Sequence, residues 1–271
     1  MTGRQNTVVE DQINDDYGVF VQKMKGLTGL DLHLYKEEQM KRRLFSFLQK
    51  KGFHSFTDLY NRGIQNDKVL LEEMLDRMTI NVSEFFRNPS RWEVLQTSIL
   101  PEIVKKQSNP HIWSAACSTG EEPYSLWMMM KEQFSGVSFS ITATDIDRRI
   151  LEQAQLGIYS SRAVENVPPA YLQKYFQAGP PAYQFDTKAA AKDIRFKKQN
   201  LLADKPVRDV DVIICRNVMI YFTEEAKEYI YHQFYQTLRP GGVLFVGSTE
   251  QMFHPEKYKF EPVGTFFYRK I

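Results

Sequence analysis

The chain has 271 residues, of which 42% are hydrophobic and 25% are charged, as in soluble globular proteins of one or two domains. Its 35 basic and 33 acidic residues give a net charge of +2, so overall charge gives no reason to expect nucleic-acid or membrane binding. Two cysteines exclude a disulfide scaffold, and the absence of metal-ligand spacing predicts no metal site. With a polar start and no apolar run of about 20 residues, we expect a cytoplasmic protein without signal peptide or membrane span.

The first part of the chain is predicted to be helical. Residues 1–15 are polar and are expected to be disordered, whereas residues 16–80 are expected to form an all-helical domain. Apolar residues recur at helical spacing from Tyr17, and a second helix is predicted over residues 35–51. A third helix is predicted to begin near Ser55, where Asp58 stands three residues later.

The rest of the chain alternates between strand and helix patterns. Short apolar runs predict buried strands over residues 111–117, 138–145, 211–217 and 243–248, and residues 265–270 are expected to form an edge strand. Such alternation predicts an α/β domain, residues 101–271, with a mostly parallel sheet covered by helices on both faces. We expect residues 81–100 to be a linker, and the proline-rich residues 163–200 to be a small antiparallel insertion.

The loop SAACSTGEEPYS, residues 114–125, follows a predicted strand and opens a helix. Dinucleotide-binding loops use G-x-G-x-x-G, whereas this loop has only Gly120. The adjacent Glu121 and Glu122 disfavour a phosphate and favour a cationic group such as an ammonium. An ordinary strand-to-helix connection, with two acids stabilising the helix dipole, fits the spacing equally well.

Asp145 ends the next predicted strand. An acid at this place accepts hydrogen bonds from ribose hydroxyls in nucleotide-binding α/β units. The alternative is a helix N-cap, a role for which Asp147 competes. Together with the acidic loop, Asp145 indicates a ligand with a ribose and an ammonium but no diphosphate, and S-adenosylmethionine fits that description.

Polar residues also follow the strand in ICRNVMIYF, residues 214–222. Arg216 and Asn217 are predicted at the carboxyl edge of the sheet, where open α/β sheets bind ligands. Tyr221 lies in the loop before a helix capped by Thr223. The alternative is a surface arginine beside an aromatic pair that belongs to the core.

The predicted second helix is basic. Between Lys36 and Lys51 there are six basic and two acidic residues, and Lys36, Arg43 and Lys50, seven apart, share one stripe of the helix. A solvated helix face is the usual meaning of such a pattern. The functional alternative is docking to an acidic partner surface.

In combination, the motifs NVSEFFR, SAACSTGEEPYS, ATDID, NLL, CRNVMIYF and FVGSTE resemble those of the CheR-type chemotaxis receptor glutamate O-methyltransferases. The resemblance runs from about residue 17 to the end of the chain. It implies a helical N-terminal domain, a linker and a Rossmann-like class I methyltransferase domain that binds S-adenosylmethionine and carries an inserted β-subdomain.

Site residues follow from the resemblance by motif position. The cofactor contacts would be Asn81, Ser83, Arg87, Glu122, Asp145, Asn200, Leu201, Arg216 and Asn217. Arg216 would hold the substrate carboxylate and Tyr221 would orient it, which makes them the predicted catalytic residues. Ser83 replaces the threonine of many members and keeps the hydroxyl. No general base is needed, because a free glutamate has a pKa of about 4.3.

The resemblance also implies the partners. The methyl group would go from S-adenosylmethionine to the cytoplasmic domains of chemoreceptors, leaving S-adenosylhomocysteine, with no metal. Lys36, Arg43 and Lys50 would dock the acidic receptor helices. The segment AGPPAYQF, residues 178–185, is shorter than the glycine-containing loop of members that tether to a receptor-tail pentapeptide, which argues against tethering. We expect a monomer.

Two alternatives belong to other functional classes. A methyltransferase for nucleic-acid bases or small molecules is disfavoured by the near-neutral charge and by the absence of an N-P-P-Y motif after a buried strand. A binding module without turnover is disfavoured because Glu122, Asp145, Arg216 and Asn217 are all present.

Overall fold

A computed structural model describes residues 3–78, 83–179 and 182–271, with side chains for 16–78, 83–177 and 182–271. The chain divides into two compact units. The helical unit comprises Met1–Ile80 and Tyr221–Lys227, and the sheet unit comprises Asn81–Ile220 and Glu228–Ile271. The predicted fold class, a helical domain and a Rossmann-like domain with a small antiparallel sheet, is confirmed.

The helical unit contains α1 (Gly3–Thr28), α2 (Glu37–Lys50), α3 (Phe56–Asp58) and α4 (Lys68–Met78). A 3-10 turn, Leu32–Leu34, precedes α2, and a π-helical turn, Leu59–Ile64, continues α3. Ser55 caps α3 as predicted, because its hydroxyl accepts a hydrogen bond from the Asp58 N–H at 3.0 Å. The backbone of residues 3–15, which were expected to be disordered, is helical within α1; their side chains lie outside the described residues.

The sheet unit alternates helices and strands along the chain. Its helices are α5 (Pro89–Val94), α6 (Leu100–Lys106), α7 (Glu121–Gln133), α8 (Arg148–Leu156), α9 (Pro169–Tyr175), α10 (Thr187–Ala190) and α11 (Glu224–Thr237), which starts in the helical unit's segment. Its strands are β1 (His111–Ala115), β2 (Ser140–Asp145), β3 (Ile158–Ser160), β4 (Phe176–Gly179), β5 (Ala182–Phe185), β6 (Ile194–Lys198), β7 (Val210–Cys215), β8 (Leu238–Val246), β9 (Phe260–Gly264) and β10 (Phe267–Lys270).

Seven strands form the main sheet in the order β6-β2-β1-β7-β8-β10-β9. The first five are parallel, whereas β10 runs antiparallel to both β8 and β9. In β1, Ile112 packs into the same buried cluster as Leu126 of α7, and Trp113 meets Phe234 of α11 edge-on at 5.5 Å. Because successive strand residues point to opposite faces, helices cover both sides of the sheet as predicted.

Two predictions about the sheets are wrong: the extent of the insertion and the position of the edge strand. The antiparallel insertion, expected over about 163–200, is a three-stranded sheet in the order β3-β5-β4, so it starts at Ile158 and its strands end at Phe185. Strand β6 lies outside it and pairs in parallel with β2 of the main sheet. The predicted edge strand, β10, is internal because it pairs with strands on both sides, and β9 is the edge.

The expected linker, residues 81–100, contributes to the core of the sheet unit. It contains α5 and a π-helical turn, Leu95–Ile99. Phe85, Trp92 and Leu95 are buried in the same cluster as the sheet residues. Among the described residues, no helix has both the length and the apolar character needed to cross a membrane.

Candidate active site

The loop between β1 and α7 turns at Gly120, which has a φ of +93°. A Cβ at this position would lie 2.9 Å from the Cβ of Ala154 and 3.1 Å from the Tyr124 ring. Both the left-handed backbone and the close neighbours therefore require glycine. The loop is tied to β2, because the Cys117 N–H donates to the Thr144 carbonyl at 2.9 Å.

Asp145 stands at the carboxyl end of β2 and is buried. Its carboxylate accepts hydrogen bonds from the Ser118 N–H at 2.9 Å and the Asp147 N–H at 3.1 Å. Burial raises the pKa of Asp145, and these backbone donors oppose the shift. The N-cap of α8 is Asp147, which accepts from the Arg149 N–H at 2.8 Å. The N-cap alternative for Asp145 is therefore wrong.

Two further carboxylates lie on the first turn of α7. Glu122 accepts a hydrogen bond from the Ser114 hydroxyl at 2.7 Å, and its other oxygen is 3.8 Å from Arg216 Nη1. Burial raises the pKa of Glu122, which Arg216 only partly opposes. Glu121 accepts from the Thr119 hydroxyl at 2.7 Å, and burial raises its pKa as well. Because burial disfavours these charges, a cationic ligand beside them would be stabilised.

Arg216 follows β7 directly and is 7% exposed. Its Nη2 donates to the Arg87 carbonyl and to Asn88 Oδ1, both at 2.8 Å. Its guanidinium lies 4.8 Å from the centroid of the Phe245 ring. Burial lowers the pKa of Arg216, against the effect of Glu122. Within the described residues, Arg216 Nε has no hydrogen-bond partner.

Asn217 adopts a left-handed conformation with a φ of +61°. Its N–H donates to Glu250 Oε2 at 2.6 Å. Glu250 belongs to the FVGSTE motif, but the sequence alone assigned it no role. The signal that could have found it is an acid three residues after the glycine that ends an apolar strand.

Asn200 and Leu201 follow β6, whose Lys198 pairs with Asp145. The side chain of Asn200 accepts from the Leu202 N–H at 2.9 Å and so closes a tight turn. The preceding Gln199 N–H donates to the Asp145 carbonyl at 2.8 Å. The structure thus places these two predicted cofactor residues at the same end of the sheet as Asp145.

Ser83 is half-buried and hydrogen-bonds to the Glu121 side chain. It lines a cavity of about 350 Å³ together with Thr119, Glu121 and Tyr159. Asn81 lies outside the described residues. In the described part of the chain, no group of three or more His, Cys, Asp and Glu side chains is arranged to hold a metal ion.

The remaining predicted residues belong to the helical unit. The guanidinium of Arg43 stacks 4.5 Å from the centroid of the Tyr221 ring, and Arg43 Nη1 donates to the Met78 carbonyl at 2.7 Å. The Lys36 N–H donates to the Tyr221 carbonyl at 2.8 Å. Lys50 is exposed at the end of α2, whereas Arg43 is half-buried. Arg43 therefore fixes the Tyr221 ring, a contact that helical spacing alone does not predict.

Comparison with known proteins assigns both parts of the chain. Residues 15–79 match the family described as CheR methyltransferase, all-alpha domain, and residues 81–267 match CheR methyltransferase, SAM binding domain. The chain is 42% identical over 259 residues to the chemotaxis protein methyltransferase of Listeria monocytogenes, covering 95% of this chain and 98% of the relative. It is 34% identical to chemotaxis protein methyltransferase 1 of Pseudomonas aeruginosa, with 91% and 94% covered.

Proposed function

The chain belongs to the CheR methyltransferase family, and on that premise we propose that it methylates glutamate carboxylates of chemotaxis receptors, forming methyl esters in sensory adaptation. The family assignment makes it an S-adenosylmethionine-dependent methyltransferase. That the methyl acceptor is a receptor glutamate goes beyond the family assignment. The relatives' names, chemotaxis protein methyltransferase, support it.

Buried charged residues at the carboxyl ends of β2, β1 and β7 support this proposal most directly. Glu122 and Asp145 are carboxylates whose pKa values are raised by burial. They fit a ligand with a cationic amino-acid end and ribose hydroxyls. Glu122 would face the cation, and Asp145 would accept from the ribose. S-adenosylmethionine supplies an activated methyl group when bound in such a site.

The chain's own residues would then orient the acceptor. A glutamate carboxylate is ionised at neutral pH because its usual pKa is about 4.3, so positioning and exclusion of water are enough for attack. Arg216 already donates to the Arg87 carbonyl and to Asn88 Oδ1, and we assign its guanidinium to one directional contact with the substrate carboxylate. Such a single, directional contact leaves the carboxylate nucleophilic. We assign the Tyr221 hydroxyl to orienting that carboxylate.

We assign receptor docking to the basic stripe of α2. Arg43 and Lys50 lie seven residues apart on α2, and Lys36 is the N-cap residue before its first turn. Acidic receptor helices are their proposed partner. A single charge at the surface contributes little alone, but the summed field of several charges steers association. We propose a cytoplasmic monomer that binds receptors directly. We propose no tail tethering, because only two residues, 180 and 181, separate β4 from β5 in the sequence.

Methyl transfer from radiolabelled S-adenosylmethionine to membranes that contain chemoreceptors tests the proposal. Base-labile label on the receptor band is the expected result, because methyl esters hydrolyse in base. Base-stable label, or label on nucleic acid or small molecules, would support a methyltransferase of another substrate class. Cofactor binding without any transfer would indicate a binding module.

A further inference from the structure

Glu250 accepts four backbone hydrogen bonds at the carboxyl end of the sheet, and it is 6% exposed. Its Oε2 accepts from the N–H of Asn217 at 2.6 Å and of Gly247 at 2.9 Å. Its Oε1 accepts from the N–H of Met219 at 2.7 Å and of Ile220 at 3.3 Å. One carboxylate thus satisfies donors from the segments after two neighbouring strands, β7 and β8.

The segment that Glu250 holds contains one left-handed residue and a buried backbone N–H group. Asn217 is in the left-handed region at a φ of +61°, a conformation that costs free energy for a residue with a Cβ. The Met219 N–H is buried, so without its acceptor it would lose a hydrogen bond that water could not replace. The carboxylate therefore holds Asn217 in its left-handed conformation and satisfies the N–H groups of Met219 and Ile220.

Gly247 makes room for this arrangement. A Cβ at Gly247 would lie 2.2 Å from Glu250 Oε2 and 3.0 Å from the Asn217 nitrogen. The Glu250 N–H donates to the Gly247 carbonyl at 3.0 Å and closes a turn. This turn brings the Glu250 side chain back to the Gly247 N–H, directly after β8. The glycine and the acid of the FVGSTE motif are thus parts of one structure.

We propose that Glu250 is a positioning residue for methyl transfer, which holds residues 217–220 so that Asn217 and Arg216 present their side chains to the cofactor. The inference rests on the proposed function, because Arg216 and Asn217 are cofactor residues only in that proposal. The four hydrogen bonds of Glu250 are all to backbone N–H groups. Glu250 acts on the site through residues 216–220.

The test compares Glu250→Gln with Asp211→Asn. Asp211 is also a buried carboxylate of the sheet unit, and it accepts from the His111 N–H and from Arg239, both at 2.8 Å. It stands at the start of β7, whereas residues 217–220 follow the end of that strand. Both substitutions remove a buried carboxylate charge. Only Glu250→Gln also replaces an oxygen that accepts backbone N–H groups, because Glu250 uses both oxygens, whereas both contacts of Asp211 are to Oδ2, which Asn can keep.

We expect both variants to melt at lower temperature than the wild type. At a temperature where all are folded, Glu250→Gln should bind S-adenosylhomocysteine about tenfold more weakly, as for the loss of one good hydrogen bond, and should have a lower kcat. Asp211→Asn should keep the wild-type affinity. Glu250→Asp retains the charge and should recover part of the lost affinity for S-adenosylhomocysteine. If Glu250→Gln does not fold, Glu250→Asp takes its place in the comparison.

Equal affinities in the folded Glu250 and Asp211 variants would overturn the inference and leave Glu250 a purely structural residue. Wild-type protein that fails to bind S-adenosylhomocysteine would contradict the proposed function itself, and the inference with it. Normal wild-type binding with an unaffected Glu250→Gln would overturn only the inference.

Discussion

At the scale of single residues, the chemistry of the site is set by buried carboxylates whose negative charge is only partly balanced by neighbouring groups. Glu122 and Asp145 are removed from water, and burial is the largest influence on the pKa of each. Arg216 Nη1 is 3.8 Å from the Glu122 carboxylate, and Arg216 donates its short hydrogen bonds to other groups. Residual negative charge in a buried site favours a cationic ligand.

Asp145→Ala should weaken S-adenosylhomocysteine binding by about 1.5–3 kcal/mol, the range for hydrogen bonds to a charged group. Isothermal titration calorimetry measures the affinity directly. Asp186→Ala is the matched control, since Asp186 caps α10 in the same unit and should not affect the affinity. Unchanged affinity in the Asp145 variant would exclude its role at the ribose.

Binding of the cofactor should also depend on pH through Glu122. The ionised carboxylate is the form that attracts the ligand's ammonium, so affinity is present above the pKa of Glu122 and is lost as pH falls through it. Because burial raises that pKa, the loss should begin above the ordinary carboxyl range near 4.3. Calorimetry across pH on wild type and Glu122→Gln tests this. Parallel pH profiles would show that another group titrates.

At the scale of elements, the strand-to-helix connection at Gly120 places the acids of α7. Its φ of +93° and the 2.9 Å approach to Ala154 fix the direction in which α7 leaves the sheet. Helix α7 then presents Glu122 to Ser114 of β1. The geometry of the acidic site therefore depends on one glycine as much as on the charged side chains.

Gly120→Ala should lower the free energy of unfolding by more than Gly136→Ala does. Both glycines have positive φ, at +93° and +89°, but a Cβ at Gly136 meets nothing within 4 Å. Gly136→Ala thus isolates the backbone cost, about 1–2 kcal/mol, and Gly120→Ala adds about 1–3 kcal/mol of overpacking. Urea unfolding of the two variants measures the difference. Equal losses would mean that the loop relaxes around the added methyl group.

At the scale of the whole molecule, the two units divide the proposed work between cofactor and receptor. The predicted cofactor residues that the structure describes all lie in the sheet unit, and the basic stripe of α2 lies in the helical unit. Arg43 has two tasks, since it belongs to the stripe and stacks on Tyr221. Changes at Lys36 and Lys50 are therefore the cleaner test of docking.

Reversing Lys36 and Lys50 to Glu should raise the KM for receptor at low salt and leave S-adenosylhomocysteine affinity unchanged. The wild-type KM should itself rise with salt, because the Debye length is about 8 Å at physiological ionic strength. Arg42→Glu, compared with Lys50→Glu alone, is the matched control for one charge reversal, since Arg42 is exposed on α2 but lies off the stripe. Methylation rates against receptor concentration at two salt levels decide the matter. An unchanged KM would make the stripe a solvated face.

The sequence by itself determined the features that depend on near neighbours along the chain. Ser55 and Asp147 cap their helices through hydrogen bonds to residues within three positions, and such caps are visible as local spacing. The apolar runs of β1, β2 and β7 predicted buried parallel strands. The motifs identified the family because their residues stand in fixed order along the chain, which requires no coordinates.

Only the tertiary structure decided which distant segments meet. Strand β6 joins the main sheet beside β2, although the sequence predicted that it belongs to the antiparallel insertion. Arg216 donates to the backbone of residue 87 across 129 positions, and Glu250 holds a segment about thirty positions earlier. Such contacts depend on where the chain returns after each crossover. Local propensity does not encode that path, because it arises from burying whole apolar faces together.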